Sequence, residues 1–376
     1  MPTMRDILSY NIRDSYAIAL INRMIAAGET PTTIRQNAII NCITSLRANN
    51  LFETQFDVLV VTRGSGANST KMNWIGNNYN ATGVNNPTYT QDVGYHNDGG
   101  SSYMNSKYAP SSNGVLFTKD DACFGYKASG AVSQGSYQLI GGGNGAGVNA
   151  TTGGAIWNIN TTYSVHGGMD MTSVAGYNCA VRNSSTIEYL LRNSDKYDFN
   201  ITSDGLSSAE MYIMAWDLTA NPYYYAVATE IYEAYWFGKS MTQTQFLTFQ
   251  TIMNTYFDTM LGPELIDQIA WTTIDYWVSP PVEWSFDGVK ISHTSAGAQV
   301  FRRINGWPET GTYRCKFTLT GTGHFIPPYN GSGPGDVNAP QTDYITYITV
   351  IAGEWFYIGS WSFVGDITAL SVKKVL

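Results

Sequence analysis

The stretch Thr312–Gly321, TYRCKFTLTG, alternates with a period of two. Tyr313, Cys315, Phe317 and Leu319 fall on one face, and Arg314, Lys316 and Thr318 on the other. Such a segment builds a half-buried strand, because successive strand side chains point to opposite faces. Its apolar face has to meet a second layer. DYITYITV, EWFYIGSW and ITALSVKKV follow as further strands, with no helical period among them. A region of short strands and turns folds as a sandwich or jelly roll. The last strand lies in WSFVGDITALSVKKVL, Trp361 to Leu376, and is expected to be paired inside that sheet. Leu370 and Val372 should face in and Ser371 and Lys373 out, the lysines discouraging edge pairing if the strand lies at an edge.

The chain opens differently. SYAIALINRMIAAG predicts a helix over residues 14–27 closed by Gly28. A second helix is expected from Thr30 as N-cap with Pro31 in the first helical position. Its stripe would be Ile34, Ala38, Ile39, Cys42, Ile43 and Leu46. FDVLVVT then reads as a strand. From there to about Ala180 the chain is rich in Gly, Asn, Ser and Thr. VLFTKDDACFGYKAS suggests two strands around Lys119, Asp120 and Asp121, and GGGNGAGVNATTGG a flexible loop. That loop lacks the Gly-Lys-Ser/Thr of a nucleotide-binding P-loop. TIEYLLRNSDKYDFN reads as strand, turn, strand, followed by MYIMAWDL and EIYEAYWFG as strands. A helix comes next, with Ser240 and Gln243 as a capping box and Phe246, Phe249, Met253, Phe257 and Met260 as its buried stripe. Gly262 and Pro263 stop it, and Pro280-Pro281 marks a boundary. The expected organisation is a helical hairpin (1–55), a β-sandwich (56–265) and a second β-sandwich module (280–376).

Composition narrows the function. Charged residues make up 13% and the net charge is -8. The charged share is about half the usual one, and the sign argues against a nucleic-acid partner. Hydrophobic residues at 43% and aromatics at 14% fill a large core, leaving Asn, Thr, Ser, Gly and Tyr to make the surface. That palette suits a rigid extracellular or virion exterior. The first residues, MPTMRDILSYNIRDSY, lack the order of a signal peptide, and no apolar run is long enough to span a membrane. Cys42, Cys123, Cys179 and Cys315 are scattered and expected as buried free thiols. The histidines are scattered too, which speaks against zinc.

Two stretches carry a resemblance. Met211–Leu261 runs strand, polar loop, strand EIYEAYWFGKSM and amphipathic helix. It resembles the end of the concanavalin-like (laminin-G-like) lectin domains of bacteriophage structural and tail proteins. LLRNSDK resembles a hairpin of that family, with Ser194 where Gly is usual. The helical hairpin, FETQFDVLVV and the Asn/Gly/Tyr-rich run to Ser112 resemble its start, so the match covers roughly residues 14–262. GDITALSVKKV resembles the ending of galactose-binding-like jelly rolls, with Lys374 in place of an acidic residue. The resemblance implies a mainly β virion protein of the tail, a fibre or a head decoration. It would contact neighbouring virion proteins and host glycans and form homo-oligomers, a trimer by family analogy, with the hairpin as attachment segment or packed on the sandwich.

Enzymes on such sandwiches use two carboxylates flanking a sugar bond. Glu230 and Glu233 are the tempting pair, but their spacing of three puts them on opposite strand faces unless a β-bulge intervenes. Asp120 with Asp121 and Asp195 with Asp198 read as turn residues. No Gly-x-Ser-x-Gly elbow is present. Asn97 and Asp98 carry oxygens of the kind that coordinate Ca²⁺, though a plain turn accounts for them, and no cofactor is expected. A non-enzymatic glycan binder is therefore the leading reading, with a tail depolymerase or a ligand-free virion adaptor as alternatives. Sugar binding needs flat aromatic faces beside polar groups. Trp307, Tyr329 and Tyr224 are the candidate ligand-binding residues, each placed in a loop, where a core or interface role is the competing account.

Overall fold

The computed structural model describes residues 14–97, 101–129, 137–141, 146–151, 154–161, 165–167, 175–217, 222–223, 231–264, 284–286, 291–293, 299–303, 310–329, 337–350, 356–360, 362 and 364–375. The protein is mainly β with antiparallel pairing. It divides into two compact units, Met1–Thr259 and Met260–Leu376.

The first unit opens with helix α1, Ser15–Ala26, started by the Asp14 carboxylate, which accepts from the Tyr16 N–H at 2.9 Å. Gly28 follows with φ +88°, a left-handed position that ends the helix cheaply. Helix α2, Thr33–Ala48, is capped by Thr32, whose Oγ1 accepts from the Arg35 N–H at 3.3 Å. The expected cap at Thr30 lies two residues too early, and Pro31 precedes the helix. The α2 stripe is also rotated. Ala38, Ile39, Cys42, Ile43 and Leu46 are buried as expected, but Ile34 is 55% exposed and Arg35 is buried in its place. At about 100° per residue, Arg35 lies on the centre of the stripe and Ile34 well to one side.

One face of the first sheet packs under these helices. Its strands are β1 (Phe56–Val61), β2 (Thr88–Thr90), β3 (Gly94–His96), β4 (Ala122–Ser129), β5 (Gly176–Arg182), β6 (Ile187–Arg192), β7 (Asp195–Asn200) and β8 (Ile231–Gly238). They lie in the order β7-β6-β5-β4-β8-β3-β2, with β1 also on β8. Helix α3, Gln243–Thr259, buries Phe246, Phe249, Met253, Tyr256 and Phe257. Phe249 meets Trp236 of β8 at 4.8 Å between ring centroids and Phe56 at 5.4 Å. Cys42 of α2 reaches Met253 of α3 at 3.9 Å, so the helical hairpin packs within this unit. Gly125 of β4 lets the layers close: a Cβ there would collide with the Trp236 ring and the Asn178 carbonyl. On the other face, Val58, Val60, Phe124, Tyr126, Leu190, Tyr235 and Phe237 share a core with Met104, Ile159 and Ile213 of a second antiparallel sheet.

Three local expectations need correction. Only one strand, β4, forms within Val115–Ser129. The N–H groups of Val115, Leu116 and Phe117 go to the Asp57 carboxylate at 3.0–3.1 Å rather than to a ladder. Within the glycine-rich loop, Ala146–Thr151 is a strand paired with Tyr137–Gly141 and Gly154–Ile159. Its neighbours on both sides supply the pairing that its weak β-propensity does not predict. MYIMAWDL splits into Tyr212–Ile213 and Trp216–Asp217 around Met214, whose φ is +69°.

In the second unit, Gly311–Tyr329 pairs with Val337–Val350, Phe356–Ser360 and Val364–Val375. Tyr313, Cys315, Phe317 and Leu319 are buried, as the alternation requires. The last strand is no edge. It pairs with Gly311–Tyr329, with Ile291–His293 and with Leu261–Glu264. Val372 stands opposite Cys315 and Lys373 opposite Arg314. The side chains of Leu370–Lys374 and the Pro280-Pro281 boundary lie outside the described residues. No described helix is long and apolar enough to cross a membrane.

Candidate functional site: a polar cleft on the first unit

The strand β8 runs from a buried charge cluster to the rim of an open cleft. At one end, Glu233 sits at a register shift between Tyr232 and Ala234, a β-bulge of the kind without which a catalytic pair with Glu230 was excluded. The bulge does not free it for chemistry. Its carboxylate accepts from Lys127 Nζ at 2.7 Å and Arg63 Nη1 at 3.2 Å, and the side chain is 0% exposed. Arg63 also donates to the Asp92 carbonyl at 2.9 Å, and Asp92 pairs with Arg35 at 2.6 Å. Burial raises the Asp92 carboxyl, and Arg35 pulls the other way. The Phe257 ring lies 5.2 Å from the Arg63 guanidinium and 5.0 Å from Lys127 Nζ. The cluster is buried, sets three cations against two carboxylates, and ties α2, the sheet and α3 together. Glu230 lies outside the described residues.

At the other end of β8 is a cleft of about 580 Å³ lined by Asn50, Thr54, Gln55, Asn183, Tyr189, Lys239, Ser240, Thr242 and Gln245. Each element places its share. Gln55 is buried and donates to the Ser240 carbonyl at 3.2 Å, fixing the connector after α2 against the end of β8. Tyr189 of β6 is buried and donates to the Met241 carbonyl at 2.8 Å, while Lys196 Nζ sits 4.5 Å over its ring. Burial pushes the Tyr189 phenol up, so it stays neutral. The α3 capping box is Thr242 with Gln245, not Ser240 with Gln243. Gln245 Oε1 accepts from the Thr242 N–H at 2.8 Å, and Thr242 Oγ1 accepts from the Gln245 N–H at 3.2 Å. Asp121 accepts from the Ser240 N–H at 2.9 Å and lies 3.9 Å from Lys239 Nζ, the two side chains 41% and 50% exposed. Such an exposed pair is worth about 0–1 kcal/mol.

The lining thus offers amides, hydroxyls, one ammonium and no carboxylate. Sites of this size hold small ligands by a few placed polar groups. A hydroxyl-rich molecule fits that chemistry, and two-carboxylate hydrolysis does not. The other acidic pairs are split or spent: Asp120 accepts from Ser203 while Asp121 stands at the cleft rim, and Asp198 pairs with Lys196 beside Asp195 on β7. Asn97 donates to the Ser102 carbonyl, and Asp98 lies outside the described residues. Among the described residues, no three His, Cys, Asp or Glu side chains gather as metal ligands. All four cysteines are buried free thiols.

None of the expected ligand-binding residues lies in this cleft. Trp307 and Tyr224 lie outside the described residues. Tyr329 is not in a loop. It is the last residue of the strand Gly311–Tyr329, paired with Tyr357, and belongs to the second unit. Sequence reasoning missed the cleft because its residues come from three separate stretches, 50–55, 183–189 and 239–245, and share no motif.

No family model and no curated protein matches the chain. Solved structures similar to it include the binding domain of botulinum neurotoxin serotype D, at 10% identity, TM-score 0.38, 84% of this chain and 82% of that one. The binding domain of Paraclostridial Mosquitocidal Protein 1 aligns at 11% identity, TM-score 0.38, 81% and 92%. A Trypanosoma rangeli sialidase mutant aligns at 6% identity, TM-score 0.40, over 59% of this chain and 39% of the sialidase. At these scores the likenesses carry no argument about ligand, partner or activity.

Proposed function

We propose that the chain is a non-enzymatic structural protein of a bacteriophage exterior, a tail or head fibre or decoration, that adheres to host-surface glycans. The observation that carries the glycan reading is the cleft: neutral amides and hydroxyls from three stretches of chain, one cation, and no catalytic carboxylate pair. The virion setting rests on the low charge and on the resemblances at Met211–Leu261 and GDITALSVKKV. Virion proteins are its other partners and a homo-trimer its assembly. Trp307, Tyr329 and Tyr224 remain candidate sugar contacts, each on its own unit.

The test is a glycan array and a host-cell binding assay on the full-length protein, with the supernatant assayed for released sugar. Binding without release is the expected result. Released sugar would move the assignment to a depolymerase, and absence of binding to an adaptor without ligand. Light scattering on the same sample checks the trimer.

A further inference from the structure

The charge left over in the cleft is one-sided. Gln245 spends Oε1 on both the N–H and the hydroxyl of Thr242, and its Nε2 amide has no partner. Tyr189 spends its hydroxyl proton on the Met241 carbonyl. Thr54 spends its own on the Asn50 carbonyl at 3.3 Å. The side-chain amides of Asn50 and Asn183 are exposed and unengaged. Lys239 brings three donors and a positive charge, held only by the 3.9 Å approach of Asp121. Strong donors therefore remain, and no charged acceptor belongs to the lining itself. A neutral hydroxyl can use the free Asn oxygens, but a carboxylate alone gains a charge-assisted hydrogen bond from the ammonium, the one charged group of the lining.

We propose that the cleft selects a carboxylate-bearing sugar, of the hexuronic or sialic type, with Lys239 as the specificity-determining residue. The inference rests on the glycan reading above. The ligand carboxylate displaces Asp121 from Lys239 and takes the Gln245 amide as a second donor. Asp121 is then a competitor: it holds the cleft in register through the Ser240 N–H, and its charge opposes the ligand.

The experiment is a glycan array carrying uronic-acid and sialic-acid glycans beside neutral glycans of the same linkages, read with the full chain, Lys239→Gln, Lys239→Arg and Asp121→Asn. The acidic glycans should bind the native chain in preference. Lys239→Gln should weaken that binding about tenfold, the loss expected for one charge-assisted hydrogen bond. Lys239→Arg should retain most of it, Asp121→Asn should strengthen it, and added salt should weaken it. Equal binding of neutral glycans, or acidic binding indifferent to Lys239→Gln, overturns the inference and leaves glycan adhesion standing. No binding to any glycan overturns both.

Discussion

The two ends of β8 treat charge in opposite ways. Around Glu233, Arg63 and Lys127 are 1% and 7% exposed and offset their desolvation by pairing with its carboxylate. Around Lys239, the ammonium is half-exposed, its partner Asp121 is at 3.9 Å, and the side-chain amides of Asn50 and Asn183 are unengaged. Both ends lie on the helix-covered side of one sheet. What differs is the cover. Helix α3 lays Phe257 over the first and offers only its capped beginning, Thr242 and Gln245, to the second. A buried ion pair fixes an arrangement at little net gain, while an exposed and loosely paired charge can be recruited by a ligand.

The largest expected effect attacks the buried end. Glu233→Ala leaves two cations in the interior without their carboxylate and should cost about 3–5 kcal/mol. Urea unfolding followed by Trp fluorescence measures it; a loss below about 1 kcal/mol would erase the contrast with an exposed pair. Alkali tests the same interior. Burial raises the phenols of Tyr108, Tyr177, Tyr235 and Tyr256. A folded-state value raised above the unfolded one, about 10 for tyrosine, gives stability fully present below that pH and lost as pH rises towards the folded value. Phenolate absorbance from these rings should therefore appear together with loss of circular dichroism; gradual ionisation of a still-folded chain would show that the core admits water. Thr242→Ala removes the cap beside the cleft and should cost about 1 kcal/mol, with Thr242→Ser nearly neutral. Lys239→Gln should move stability by no more than about 0.5 kcal/mol. A larger change in its urea midpoint would make Lys239 part of the scaffold and dissolve the distinction between the two ends.

The sequence reading succeeded wherever one segment carried its own evidence. The alternation through Tyr313, Cys315, Phe317 and Leu319 is a strand, and the hairpin of β6 and β7 turns where Arg192 faces Asp195. It failed by two residues at both helix starts it tried to cap, choosing Thr30 over Thr32 and Ser240 over Thr242. Neighbouring hydroxyl residues have the same capping chemistry, and the face each helix must bury decides between them. It placed Ile34 inside and overlooked Arg35, whose partner Asp92 arrives from a distant turn. The site was less legible still. Carboxylate spacing singled out Glu233 only to set it aside unless a bulge intervened; the bulge is there, and the cations that occupy the carboxylate come from Arg63 and Lys127.

By itself, then, the sequence determined the mainly β class, the opening helical hairpin and most apolar faces of the elements. These follow from periods of two and 3.6 residues, which are properties of one segment. The tertiary structure decided which polar groups are spent and which are left over. It set Lys239 beside Asn50, Asn183 and Gln245, and it sank Glu233 between Arg63 and Lys127. Such pairings depend on strand register and helix docking, which bring together residues that the chain itself keeps far apart.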